Sequence, residues 1–172
     1  SFANARIVLV ERPGRGVGGV AYDAVSERLL LNVPAARMSA FEEQPADFLE
    51  FLRAREPGAD AGTFARRRDF GEYLAARLDA AAREAAAASG GRVRFEPVAG
   101  HVRDVQRDAL GRAHVIVDTG AESTELLADA VLLATGNVGS RPPAWCADWM
   151  LAERRYVTAW APGAIGVDAA PV

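Results

Sequence analysis

An acidic residue directly after an apolar run is the first feature of this sequence that could do chemistry. Residues 7–10 read Ile-Val-Leu-Val, a run typical of a buried strand, and Glu11 follows at once. In a dinucleotide-binding sheet, a carboxylate at the end of a strand accepts hydrogen bonds from the ribose hydroxyls of adenosine. We therefore predict a strand over residues 5–11 and regard Glu11 as a candidate ribose contact.

The glycines that follow have the spacing of a phosphate-binding loop. Gly14, Gly16 and Gly19 satisfy G-x-G-x-x-G, but the mechanism needs the first glycine to turn the chain directly after the strand. Here residues 11–13 intervene, and Pro13 cannot extend a central strand. We predict that this segment does not cradle a pyrophosphate. A true phosphate loop remains the alternative to a flexible loop whose glycines let backbone pass close to a flat or bulky group.

Two helices are predicted between this loop and the middle of the chain. The first begins at residues 45–47, has an apolar stripe, and is stopped by Glu-Pro-Gly at 56–58. The second covers residues 70–88, with Asp69 as its N-cap and two glycines, at 90 and 91, as its end. The arginine triplet at 66–68 precedes it, either as a solvated run or as a source of one contact to an anionic cofactor.

Alternating and apolar runs predict the strands of the second half. Residues 93–96 alternate, and residues 101–106 and 114–118 form a hairpin pattern around a turn at 108–111. The wholly apolar run 130–134 predicts a central parallel strand, followed by a Thr-Gly turn. Together these elements predict an α/β fold with a mainly parallel sheet plus the hairpin, in which strands 5–11 and 130–134 are neighbours or near-neighbours.

Three segments resemble a known protein family. They are LLNVPAARMSAF at 30–41, RRDFGEYL at 67–74 and VLLATGN at 131–137. With the E-R-P segment at 11–13, they are similar to the FAD-NAD(P)-binding family of flavin-dependent oxidoreductases, which is akin to the flavin monooxygenases and N-hydroxylases. The resemblance runs from about Ile7 to Asn137, and LNVPAARM is its most specific part.

The resemblance implies a Rossmann-like domain with FAD as bound cofactor, NAD(P)H as electron donor and an unknown small substrate. It implies that Glu11 holds the adenosine ribose and that the main chain at Val102 meets the adenine. The strand end at 134–136 would approach the cofactor closely, and the turn containing Asn32 would lie near the flavin ring. The cofactor-binding residues implied are Glu11, Arg12, Asn32, Val33, Pro34, Met38, Val102, Ala134, Thr135 and Gly136; no catalytic residue can be assigned.

The same resemblance implies that the chain is incomplete. Family members carry a strand and a G-x-G-x-x-G turn before the position of Ile7, and a second glycine loop after the position of Val172. We therefore expect an incomplete nucleotide-binding domain over 1–140 and a covering tail over 141–172 that leads to a second nucleotide-binding part. The absent βα unit would leave a sheet edge uncovered, through which the chain could self-associate.

Composition narrows the remaining classes of protein. The net charge is −3, which argues against nucleic-acid binding, and the 20 basic residues are all Arg, which excludes Schiff-base lysine chemistry. The single cysteine, Cys146, excludes an internal disulfide and a cysteine-based metal cluster. No signal peptide or run of 18 apolar residues is present, so we expect a cytoplasmic protein that does not span a membrane.

Two other functions remain open at this point. The chain could be a non-enzymatic packing or interaction domain derived from a flavoprotein, which the absent glycine turn favours. It could also be an NAD-dependent dehydrogenase, which only the glycines at 14, 16 and 19 favour. Bound yellow flavin would distinguish the flavoenzyme from both alternatives.

Overall fold

The computed structural model of the protein describes residues 4–14, 16–22, 29–136, 141–153 and 155–156. Contacts divide the chain into two units, residues 1–17 with 74–134 and residues 18–73 with 135–172. The first unit holds five strands, and the second holds the shorter helices and the loops that join them. The domain division predicted at residue 140 stays a prediction.

A parallel pair of strands opens the first unit. Strand β1 (Ala5–Glu11) pairs in parallel with the strand Val93–Ala99, with Ala5 opposite Val93 and Glu11 opposite Ala99. The strand predicted over residues 5–11 is therefore confirmed. Because the pairing is parallel, the carboxyl ends of both strands lie at one edge, which is where α/β proteins bind ligands.

The strand Val93–Ala99 is β2. A three-stranded antiparallel meander follows it, formed by β3 (His101–Arg107), β4 (Ala113–Asp118) and β5 (Ser123–Ala128). The middle strand β4 supplies the buried side chains, Val115 and Val117. The turn between β3 and β4 contains Gly111 at φ +83°, a conformation that favours glycine. The predicted hairpin is confirmed, while β5 was missed because its sequence, STELLA, alternates only weakly.

The predicted parallel strand at 130–134 is wrong. These residues belong to no strand, and Leu132 and Leu133 are 92% and 72% exposed. An apolar run forms a central strand only when neighbours on both sides accept its backbone hydrogen bonds, and no strand in the described ranges pairs with this run. The sheets are consequently one parallel pair and one antiparallel meander, so the expected mainly parallel sheet is also wrong, although the α/β composition holds.

An aromatic cluster forms the core of the second unit. Its rings lie with centroids 4.9–5.4 Å apart and come from a single-turn helix α1 (Gly19–Tyr22), helix α2 (Asp47–Arg53) and the first turns of helix α3 (Arg67–Ser89). The members are Tyr22, Phe48, Phe51, Phe70 and Tyr73. Edge-on aromatic packing of this kind adds to the burial that stabilises short helices.

Helix α3 begins earlier than predicted. The predicted cap, Asp69, lies inside the first turn and reaches back to Arg66, accepting from its backbone N–H at 3.2 Å and from its guanidinium Nε and Nη2 at 2.8 and 2.9 Å. This is the acidic half of a capping box, because a side chain in the first turn satisfies an N–H ahead of the helix. The helix ends as predicted at Gly90 and Gly91, both at positive φ.

The three arginines of the triplet are partly exposed and make contacts within the second unit. Arg66 pairs with Asp69, the Nε of Arg67 donates to the carbonyl of Leu30 at 3.1 Å, and Arg68 lies 3.4 Å from the Glu72 carboxylate. An Arg contact to an anionic cofactor stays a prediction.

Near the end of the described chain, helix α4 (Asp148–Ala152) carries Trp149, which is 57% exposed.

Candidate functional site

Glu11 lies where the sequence predicted, at the carboxyl end of β1. One carboxylate oxygen, Oε1, accepts the backbone N–H of Arg12 at 2.8 Å, which fixes the direction of the side chain. Within the described residues, the second oxygen has no hydrogen-bond donor. The side chain of Arg12 is exposed. The local chain therefore presents an oriented carboxylate oxygen that is able to accept from a hydroxyl.

Gly100 connects this strand end to the meander. Its N–H donates to the carbonyl of Glu11 at 2.9 Å, directly before β3 begins. A Cβ on Gly100 would lie 2.6 Å from Cγ1 of Val117 and 3.0 Å from the carbonyl oxygen of Asp118, so no larger residue fits without displacing β4. Sequence reasoning missed Gly100, although a glycine between two alternating runs signals a close backbone approach.

Val102 lies two residues beyond Gly100, on the edge strand of the meander. It is partly buried and pairs with Val117, and the register shifts between Val102 and Asp104. A bulge of this type bends the strand and frees main-chain groups from the ladder. Glu11 and the β3 main chain are thus brought together through Gly100, as an adenosine contact shared by the two would require.

No hydrogen bond of the described chain joins residues 134–136 to Glu11, Gly100 or Val102. Ala134, Thr135 and Gly136 are exposed and follow the unpaired apolar run, and Gly136 has φ +64°. Ala134 belongs to the first unit, and the other two belong to the second. Their predicted contact with a cofactor stays a prediction.

The turn containing LNVPAARM is a well-anchored part of the second unit. Ala35 is fully buried, its N–H donates to the carbonyl of Thr63 at 2.8 Å, and a single 3₁₀ turn covers Ala35–Arg37. Asn32 is exposed, and Val33, Pro34 and Met38 are partly buried. The segment is therefore a rigid turn with one exposed amide side chain, and its predicted place beside a flavin ring stays a prediction.

Tyr73 anchors the chain segment that follows this turn. Its hydroxyl donates to Oδ2 of Asp47 at 2.6 Å and accepts the backbone N–H of Ala40 at 2.9 Å. Tyr73 is fully buried and Asp47 is 8% exposed, and polar groups buried to this extent need hydrogen-bond partners. A single hydroxyl thereby ties α3 to α2 and to the loop that carries Met38.

We expect Tyr73→Phe to lower the free energy of unfolding by about 1–3 kcal/mol, because the buried carboxylate and the Ala40 N–H each lose a partner while the ring remains. Urea denaturation measures the change. Tyr22→Phe is the matched control, since the Tyr22 hydroxyl has no hydrogen bond within the described residues and only its ring packs, on Phe70. Equal effects of the two substitutions would contradict the assignment.

A single-turn helix follows the glycine segment, and the expectation that this segment does not cradle a pyrophosphate stays a prediction. Helix α1 is one turn long and begins at Gly19, and Gly18 is buried with its carbonyl accepting the Tyr22 N–H at 3.2 Å. Gly14 lies at φ +76° in a turn directly after Pro13. A single turn offers little of the dipole and few of the N–H groups that hold a pyrophosphate. Arg15, inside the motif, lies outside the described residues.

A charged cluster around His114 joins the strands of the meander. The Nδ1 of His114 contacts Oε1 of Glu125, and its Nε2 lies 3.3 Å from Oδ2 of Asp108. The hydrogen bond that Glu125 accepts from His114, and then the one that Asp108 accepts, raise the pKa of His114. The backbone N–H of Arg112, its guanidinium and His114 hold the pKa of Asp108 well below its usual range. Because both ring nitrogens are engaged, His114 clamps β4 to its neighbours.

The meander should lose stability as the pH rises through the raised pKa of His114. The clamp contributes fully below the unfolded pKa of about 6.5 and disappears as the folded imidazolium deprotonates. Urea midpoints from pH 5.5 to 9 should therefore fall more steeply for the wild type than for His114→Gln. His101→Gln, on β3, is the control and should keep the wild-type slope. A pH dependence that survives in His114→Gln would contradict the clamp.

Within the described ranges, no group of three metal-ligating side chains is present, and no helix is long and apolar enough to cross a bilayer. The candidate site consists of the Glu11 carboxylate at the end of β1, the contact of Gly100 with β4 and the bulged main chain at Val102.

A carboxylate at the carboxyl end of a parallel strand is the arrangement with which α/β proteins bind nucleotides. The chain matches the FAD-NAD(P)-binding family over residues 1–138, and it belongs to that family. The membership supports binding of FAD or NAD(P) and a general role of the oxidoreductase type. Among curated proteins and solved structures, comparison with this chain found no match.

The described residues fit one half of such a cofactor. Glu11 offers a carboxylate oxygen that could accept from ribose hydroxyls, and Gly100 joins this strand end to β3 while packing against β4. For the pyrophosphate, which needs several N–H groups at a helix start, the glycine segment after β1 offers a single turn at Gly19. The fit is therefore to the adenosine end.

Proposed function

We propose that the protein is an FAD-dependent oxidoreductase that uses NAD(P)H, of the kind to which flavin monooxygenases belong. The observation that carries the proposal is the oriented, half-satisfied carboxylate of Glu11 at the carboxyl end of β1. Family membership supports the same class of cofactor.

In this proposal, residues of the first unit bind the adenosine end of FAD. Glu11 accepts hydrogen bonds from the ribose hydroxyls. The main chain at Val102, two residues after Gly100, meets the adenine edge. Bound FAD would supply the redox chemistry, taking electrons from NAD(P)H for an acceptor or for oxygen. The described side chains position and orient the cofactor. The cytoplasmic location of the protein stays a prediction.

The adenosine contact can be tested on the chain without any turnover. NMR titration with AMP should shift the amides of Glu11, Gly100 and Val102, whereas FMN, which lacks adenosine, should leave them unmoved. Glu11→Gln should weaken the AMP response roughly tenfold, because a neutral amide accepts less strongly than a carboxylate. A response to FMN alone would contradict the proposal.

The flavin assignment needs a second measurement. Addition of excess FAD should support oxidation of NADH or NADPH above the rate with FAD alone, since the 172-residue chain is expected to bind FAD only weakly. Binding of NAD without any flavin would favour the dehydrogenase, and binding of neither would favour an interaction domain.

A further inference from the structure

Two segments of the second unit form a short antiparallel ladder. Leu30 is bridged to Arg66, and the Leu31 N–H donates to the carbonyl of Ala65 at 2.8 Å. Directly opposed residues of such a ladder point to the same side, and successive residues point to opposite sides. One side of the ladder therefore carries Leu31 and Ala65, and the other side carries Leu30 and Arg66.

The two sides of this ladder differ in exposure. Leu31 and Ala65 are each 4% exposed, whereas Leu30 is 52% exposed. Phe64, which directly precedes Ala65, is 48% exposed, and Asn32, which directly follows Leu31, is exposed as well. The outer side of the ladder therefore presents an apolar side chain, an aromatic ring and an amide to solvent. We call these three residues, Leu30, Asn32 and Phe64, the outer face.

The backbone beneath the outer face is anchored next to each exposed side chain. The carbonyl of Leu30 accepts from Nε of Arg67 at 3.1 Å. Three residues after Asn32, the N–H of the fully buried Ala35 donates at 2.8 Å to the carbonyl of Thr63, the residue before Phe64. The outer face is consequently preorganised, which lowers the entropic cost of binding a ligand on it.

A flat ring with an apolar end and a polar edge fits this surface. The ring of Phe64 is available for stacking, Leu30 supplies aliphatic contact, and the Asn32 amide holds both donors and an acceptor. The charge of Arg66, on the same side of the ladder, is compensated by Asp69 at 2.8 Å, so a neutral ring suits the face. The isoalloxazine of a flavin has these properties, because its dimethylbenzene end is apolar and its pyrimidine edge carries carbonyl oxygens and an imide N–H.

We propose that the outer face binds the isoalloxazine ring of a flavin, with Phe64 stacked on the ring and Asn32 hydrogen-bonded to its pyrimidine edge. The choice of flavin rests on the proposed function, whereas the surface itself follows from the ladder and its exposed side chains. Adenine and nicotinamide are smaller and have no apolar end ring, so either would leave the Leu30 side chain uncovered.

NMR titration of the whole chain with FMN tests the outer face. FMN should shift the backbone amides of Leu30 and Phe64 and the side-chain amide of Asn32. AMP, nicotinamide mononucleotide and inorganic phosphate at the same concentration should leave these signals in place. Phe64→Leu should weaken the FMN response about threefold to tenfold, because stacking is lost while an apolar side chain remains. Phe64→Trp should keep the response, since a ring is restored.

The matched control is Leu110→Ala, which removes an exposed apolar side chain from the turn between β3 and β4 and should bind FMN like the wild type. Equal FMN affinities of Phe64→Leu and the wild type, or a response of the outer face to AMP or nicotinamide mononucleotide in place of FMN, would overturn the proposal. An AMP response at Glu11 and Val102 without any FMN response at Phe64 would overturn the outer face alone and would leave the proposed adenosine contact standing.

Discussion

Replacing Gly100 by Ala is expected to destabilise the protein by about 1–3 kcal/mol, the usual cost of forcing an extra group into a packed core. The added methyl would meet Cγ1 of Val117 at 2.6 Å and the Asp118 carbonyl oxygen at 3.0 Å. Val117 is buried and stiff at χ1, so it cannot rotate away cheaply. The β4 strand must therefore move, and with it the hydrogen bond from Gly100 to Glu11.

The control for this prediction is Gly58→Ala. Nothing lies within 4 Å of a Cβ at Gly58, so this change should shift the free energy of unfolding by less than about 0.5 kcal/mol. Urea denaturation of both variants gives the comparison. The Gly100 variant should also lose the AMP response of the Val102 amide. A Gly100→Ala protein as stable as Gly58→Ala would show that β4 yields without cost.

The elements that were predictable from sequence are those whose signals are local. The apolar run before Glu11 predicted β1, and Gly90 and Gly91 predicted the end of α3, because strand and cap signals involve adjacent residues. The run 130–134 failed for the opposite reason, since its state depends on partners that sequence periodicity does not reveal.

The candidate site divides in the same way. The position of Glu11 at the end of a strand could be predicted, because it directly follows an apolar run. Gly100 could not, because its importance arises from Val117, a residue on another strand. The contact of Tyr73 with Asp47 joins residues 26 positions apart, and no pattern in either helix announces it. Long-range packing of this kind appears only once the chain is folded.

The 172-residue chain should bind FAD weakly, although the Glu11 carboxylate is oriented at the end of β1. The pyrophosphate of a dinucleotide normally rests on several backbone N–H groups at a helix start, and the helix that follows the glycine segment is a single turn at Gly19. A polypeptide in which a strand and a G-x-G-x-x-G turn precede Ile7 should bind FAD far more tightly. Calorimetric titration of FAD, with the visible spectrum of the purified chain, measures this difference.

In that tighter complex, Glu11→Ala should reduce FAD affinity by about tenfold to a hundredfold for each ribose hydrogen bond that water does not replace, since a charge-assisted bond contributes about 1.5–3 kcal/mol. Glu84→Ala is the matched control, because Glu84 is an exposed carboxylate on α3 and not at the end of β1. A Glu84 effect as large as that of Glu11 would contradict the ribose assignment. A stoichiometric yellow monomer of the 172-residue chain, with micromolar or tighter affinity, would contradict the expected weak binding and would make the glycines at 14, 16 and 19 candidates for the phosphate loop again.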